Sequence, residues 1–203
     1  MSNGNILERL WKLEATANKL VLDGKRTPES LCSLLQEFNV NRPEPPWREE
    51  HDIIYFSVTS DGTTGVKWIA RLESKDFHVS DEAVRMLCST DFKPTSGVTT
   101  KVAVFKGSLF GDRNRITSKI RSRAEACRFV KPNTELACLI REKFSDEEIA
   151  MMGLRLISVM HEHFKIYLPS GRYQLCVGHH NWLSVCESER EWYRNDGFAF
   201  AVP

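Results

Sequence analysis

The sequence predicts an α+β protein: an N-terminal helical hairpin, then a domain whose central helices pack on a C-terminal antiparallel sheet. Three observations carry this expectation. The chain ends in Gly197-Phe-Ala-Phe-Ala-Val-Pro203, where Phe198, Phe200 and Val202 alternate with Ala199 and Ala201. A strand there is apolar on both sides and belongs inside a sheet. The middle of the chain repeats apolar residues at spacings of three and four, the period of amphipathic helices. Finally, Arg42-Pro-Glu-Pro-Pro46 can continue neither a helix nor a strand interior, so residues 42–46 read as a linker between a unit of residues 1–41 and a domain of residues 47–203.

In chain order, Ile6, Leu10, Leu13, Ala17 and Leu20 place a helix over residues 6–22. Asp23-Gly24 turns the chain, and Thr27 with Pro28 is an N-cap followed by the first helical position of a second helix reaching Phe38. Beyond the linker, Ile53–Val58 has strand propensity and Thr59–Gly65 reads as a turn cluster. Trp68, Ile69 and Leu72 mark a helix over residues 66–74, and Ser80-Asp-Glu-Ala opens another carrying Val84 and Leu87. Residues 100–106 suit a strand, 116–130 a basic helix, and 135–144 a further helix. Ser145 and Glu148 have capping-box spacing, and Gly153 supplies the stop. Strands are expected over 155–164, 172–177, 182–186 and 198–202.

Composition excludes several classes. Apolar content of 41% and charged content of 27% are ordinary for a globular chain, which argues against wholesale disorder. A net charge of +1 provides no global attraction to nucleic acid or anionic lipid, so such binding would need a local patch. The six cysteines form no CxxC pair, and the start has neither a basic segment nor an apolar core of the secretory kind. No apolar run approaches the ~20 residues that cross a bilayer. The expected protein is soluble, reduced and cytoplasmic, with buried thiols and no membrane partner.

Four segments carry a resemblance. They are Thr59–Gly65, Phe92–Thr100, Cys138–Ile149 and Gly197–Val202. These resemble segments of a family of hypothetical proteins from uncultivated small-genome bacteria, over roughly residues 47–203. No activity is established for that family, so the resemblance implies no catalytic residue, ligand or partner. The late short strands, decorated loop and final Gly-Phe-Ala-Phe strand also loosely resemble the end of C-type-lectin-like domains, without a calcium-ligand motif.

Four constellations could carry function. His161 and His163 share one face of a strand, and His179-His180 lies in a nearby turn, so these imidazoles could ligate zinc or iron as the only cofactor the sequence suggests. Residues 60–65 could present helix N–H groups to an anion, but contain neither phosphate-loop pattern. Arg115, Lys119 and Arg123 recur every four residues and would form a basic helical stripe suited to a phosphate backbone, within a cationic span of residues 113–131. In the C-terminal third, Tyr167, Arg172, Trp182, Arg190, Trp192, Tyr193 and Arg194 are of the types that dominate recognition surfaces, several of them in the polar loop 187–196. No GxSxG or other nucleophile motif is present, and the paired acids are accounted for by helix starts. The leading expectation is a non-enzymatic module binding a protein or other macromolecule through these aromatic and basic loops. A metal-dependent enzyme with a histidine-lined site is the alternative from another class, and nucleic-acid binding through the basic helix is the third.

Overall fold

Among the described residues there are eight strands: β1 (Arg48–Glu50), β2 (Ile53–Asp61), β3 (His78–Val79), β4 (Ser96–Lys106), β5 (Leu156–Val159), β6 (Tyr173–Gly178), β7 (Trp182–Glu187) and β8 (Asp196–Val202). They form one sheet in the order β1-β2-β4-β8-β5-β6-β7-β3. The described residues also form five α-helices: α1 (Gly65–Glu73), α2 (Asp81–Leu87), α3 (Thr117–Ala126), α4 (Glu135–Lys143) and α5 (Asp146–Met151). The computed structural model describes Thr27 and residues 45–162, 172–178 and 180–203. The expected hairpin of residues 1–41 thus lies outside the described residues apart from Thr27, and Pro45 and Pro46 are the described part of the linker. Trp47–Pro203 forms one compact unit.

The α+β class holds, whereas the expected antiparallel C-terminal sheet is corrected to a mixed sheet. Strands β5 and β8 pair in parallel, as do β3 and β7, and four of the eight strands precede residue 107. The reason lies in the last strand. It enters between β4, which runs antiparallel to it, and β5, which runs parallel, so the terminal residues occupy the middle of the sheet. Its two apolar sides meet different cores: Ala199 packs with the cluster containing Trp68 and Phe144, while Phe198 and Phe200 pack with Phe105 and Trp192. Burial of each phenylalanine contributes about 1.5–3 kcal/mol.

One face of the sheet is covered by α1, α2, α4 and α5 around Ile54, Phe56, Val104, Ile157 and Leu183. Helix α4 is buried from Glu135 through Arg141. Gly65 starts α1 where a Cβ would stand 1.8 Å from the Leu87 carbonyl oxygen, so only glycine permits that approach to the end of α2. The Ser145 capping box of α5 is present as expected: Ser145 Oγ accepts from Glu148 N–H at 3.2 Å, and Glu148 Oε2 accepts from Ser145 N–H at 2.8 Å.

The opposite face carries α3, the turns at Gly107–Leu109 and Asp112–Asn114, and the segment joining β7 to β8. Several boundaries differ from expectation. Strand β2 continues through Asp61, which pairs with Ser96 of β4 after a register shift between Thr59 and Asp61, and the Asp61 side chain then receives Thr63 N–H at 3.1 Å where the chain leaves the sheet. Helix α3 stops at Ala126: Arg128 is left-handed (φ 60°), and Val130 then bridges Ala201 of β8 in both directions. Strand β5 ends at Val159, so His161 lies beyond it. The five described cysteines are free, with Cys138, Cys176 and Cys186 buried. Among the described residues no helix is long and apolar enough to cross a membrane.

Candidate functional site

The best-formed surface lies where β5 and β8 begin side by side. Register places Leu156 against Asp196, and Arg155 N–H donates to the Asn195 carbonyl at 2.7 Å. Asp196 is fully buried, and both its carboxylate oxygens accept hydrogen bonds. Oδ1 accepts from Arg155 Nε at 3.0 Å and Nη2 at 2.7 Å. Oδ2 accepts from Arg190 Nη2 at 3.1 Å and from Tyr193 N–H at 3.0 Å. A buried carboxylate shared by two guanidiniums and a backbone amide is a charge-assisted knot that fixes the loop's path.

A second clip secures the same loop from beneath. Arg115 donates to the carbonyls of Gly107 at 3.2 Å, Trp192 at 3.3 Å and Phe110 at 3.4 Å, and pairs with Asp112. Trp192 N–H returns a bond to Arg115 O at 3.2 Å. The Trp192 indole is 2% exposed, stands edge-on to Phe198 at 5.3 Å, and donates from Nε1 to Thr117 Oγ1 at 3.0 Å. Thr117 in turn donates to the Ser188 carbonyl. Gly107 is required because a Cβ there would lie 2.4 Å from the Tyr193 carbonyl oxygen.

What these clips display is Tyr193. Its ring is 59% exposed, with the Arg155 guanidinium 4.8 Å and the Arg190 guanidinium 5.7 Å from its centroid. Arg190 also stacks on Trp192 at 4.5 Å. Exposed Arg194 follows directly.

Of the expected recognition residues, the structure brings together Arg190, Trp192, Tyr193 and Arg194. Trp192 is corrected from surface to core: its indole is closed in by Phe198 and Thr117 and has no face left for a partner. Arg172 precedes β6 and sits at the opposite end of the strands, roughly 17 Å away along five residues of sheet. Trp182 begins β7, two strands from β5 and thus ~10 Å aside, where its ring meets His78 at 5.4 Å. Tyr167 lies outside the described residues.

The histidine expectation divides similarly. His163 and His179 lie outside the described residues. His161 is buried past the end of β5. Its Nε2 accepts from Leu175 N–H at 3.0 Å, and Nδ1 stands 2.5 Å from the Glu162 carbonyl. His180 is exposed in the β6–β7 turn at the other end of the sheet, so these two do not converge. Among the described residues no group of three His, Cys, Asp or Glu side chains could hold a metal ion.

The basic stripe is corrected at its first member. Arg115 precedes α3 and spends its guanidinium on the clip, because helical spacing does not apply before the Ile116 cap; Lys119 and Arg123 are exposed on the helix. Beside Gly62–Thr64, Asp61 pairs with Arg71, whose guanidinium also holds Glu142 through two bonds of 2.6 Å. The Thr63 hydroxyl and then Arg71 pull the Asp61 carboxyl down to about 2.

Sequence reasoning missed Asp196 and Arg155. The available signal was an acid placed directly before an apolar strand, downstream of a loop containing Arg190 and Arg194. Comparisons with protein-family models, curated proteins and solved structures returned no match to the chain.

Proposed function

We propose that the protein is a non-enzymatic recognition module that binds a protein or other macromolecule through the surface centred on Tyr193. One observation carries this reading: an exposed aromatic ring on a backbone pinned by a fully buried carboxylate. Most loop aromatics that a fold can bury are buried, as the adjacent Trp192 is. A ring held rigidly in water loses little conformational freedom when a partner covers it. The stacked guanidiniums of Arg155 and Arg190 add flat, weakly hydrated surface, and exposed Glu189, Glu191 and Arg194 give a rim of both signs. That mixed rim favours a protein partner over nucleic acid, whose phosphates the glutamates would repel.

The test is site-specific photocrosslinking in the full chain, with the reactive group at position 193 and, as a comparison, at position 119. The expected result is a discrete protein adduct from 193 that Arg194→Glu abolishes. Adducts from position 119 alone, sensitive to nuclease, would replace this reading with nucleic-acid binding. No adduct from 193 at any cellular growth phase would reject it.

A further inference from the structure

Among the described residues, Cys176 of β6 and Cys186 of β7 are the two cysteines that lie on paired strands. The register sets Gln174 against Cys186 and Cys176 against Ser184, so the two cysteines are diagonal neighbours on one side of the sheet. That side is the one where Phe198 and Trp192 pack, and there Cys176 is 1% and Cys186 8% exposed. The right-handed twist of paired strands brings one diagonal closer than the other. A hydrogen bond from the Cys176 thiol to the Cys186 sulfur marks this diagonal as the near one. The same thiol has the Gln174 carbonyl as a second acceptor at 3.7 Å.

The surroundings make the two sulfurs unlike. The hydrogen bond from Cys176, helped by the positive charges of Arg190 and Arg155, pulls the Cys186 thiol below its ordinary range against the opposing effects of burial and Asp196. Burial, and then the same hydrogen bond, hold the proton on Cys176. A further donor stands directly opposite Cys186, with Cβ atoms ~5 Å apart: Gln174 is fully buried, and its amide nitrogen has no hydrogen-bond partner. A buried donor without an acceptor is costly, and a sulfur anion at position 186 is the acceptor that this side of the sheet otherwise lacks.

We propose that Cys176 and Cys186 are a site of reversible oxidation, forming a disulfide across β6 and β7 with Cys186 as the attacking sulfur and hydrogen peroxide as the oxidant. The Cys186 thiolate attacks one peroxide oxygen and the O–O bond breaks, leaving a sulfenic acid and a hydroxide that is protonated to water. The Cys176 sulfur then attacks Cys186 Sγ. The S–S bond forms, the S–O bond breaks, and the departing hydroxide takes the Cys176 proton as a second water. Overall, two thiols give up two protons and two electrons, and the peroxide becomes two waters. A thiol reductant reverses the reaction by exchange. The new bond ties the strands just before the segment that joins β7 to β8, and it stands whether or not a partner meets Tyr193.

The test adds hydrogen peroxide to the full folded chain, stops the reaction with acid, and alkylates the remaining thiols in denaturant before mass spectrometry. The expected result is a loss of two hydrogens, with Cys176 and Cys186 protected from alkylation together. Fragments cut after Trp182 should then stay joined until a reductant is added. Exposed Cys88 is the internal standard for the peroxide dose. Cys176→Ser should leave a sulfenic acid at position 186 that dimedone captures, whereas Cys186→Ser should give no capture at position 176. The proposal is overturned if both thiols remain open to alkylation after Cys88 has been oxidised, if they oxidise separately with no bond between the fragments, or if Cys186→Ser still loses two hydrogens. The first measurement uses the parent chain, so it decides the matter even where a variant does not fold.

Discussion

The two faces of the sheet solve the same covering problem differently. On one face, α1, α2, α4 and α5 lay apolar side chains over β2, β4 and β5, and Phe56, Phe144 and Trp47 stack edge-to-face within it. On the other, among the described residues, one helix, two short turns and one irregular segment lie over the strands, joined by polar clips: Asp196 with two arginines, Arg115 with three carbonyls, and Trp192 with Thr117. Helices satisfy their own backbone and need only burial. An irregular segment must find partners for each buried amide and carbonyl, and side chains such as Arg115 supply them. The difference is one of means: the helix-covered face is held by apolar packing, and the clipped face holds one ring, Tyr193, out in water.

Deleting an anchor from either face should give the largest effects and break the comparison if they differ. Phe144→Ala and Trp192→Ala should each lose about 3–5 kcal/mol in chemical denaturation, the range for large buried aromatics. Equal losses would mean that the clipped face is as integral to folding as the helical one. A Trp192→Ala loss under ~1 kcal/mol would make that face a loosely attached cover. Next in size is Asp196→Ala, expected to lose ~3 kcal/mol because Arg155 and Arg190 are left partly buried without their carboxylate. Hydrogen exchange should then locate the new opening at residues 188–195 and leave α4 protected.

Much of the helix-covered face was legible in the sequence. Ser80 and Ser145 caps, the apolar stripe of Trp68 and Leu72, and the doubly apolar last strand are local signals, and the structure carries each of them. What local patterns could not report was pairing. Nothing in Ile157 or Phe198 says that β5 and β8 run in parallel, since periodicity specifies faces and not neighbours. The clipped face was hardest to read, because its determinants are contacts between distant residues: Arg115 reaches Trp192 across 77 positions, and Arg155 reaches Asp196 across 41. Four-residue spacing with Lys119 and Arg123 suggested that Arg115 belonged to a cationic stripe, and only the fold shows it spent on carbonyl oxygens.

Smaller effects sharpen the contrast on the helical side. Ser145→Ala removes the cap of α5 and should lose ~1 kcal/mol, with Ser145→Thr recovering most of it. The Asp61 carboxyl, held at about 2 against an ordinary 3.8, stabilises the fold above pH ~4, and that contribution disappears as pH falls through 2. Asp61→Asn should therefore be less stable than the parent near pH 6 and equal to it near pH 2. Because Asp61 is exposed, solvent screening keeps the difference small, and it should shrink further in high salt. A difference that persisted at pH 2 would point to the Thr63 turn rather than to charge.

The smallest expected stability change belongs to Tyr193→Ala, the variant that tests the proposed recognition surface. Tyr193 and Trp192 are adjacent in sequence, yet one ring is 59% exposed and the other 2%. Truncating Tyr193 removes two cation–π contacts at an exposed site and leaves its amide bonded to Asp196, so the loss should stay within ~0.5–1 kcal/mol. Tyr193→Phe should be indistinguishable from the parent in stability. Loss of the position-193 partner in Tyr193→Ala, at a melting temperature within a few degrees of the parent, is the outcome that separates a displayed residue from a packed one. If Tyr193→Ala instead destabilised the fold as much as Trp192→Ala, the two guanidiniums would need that ring to stay in place, and the ring would be part of the clip rather than what the clip holds out.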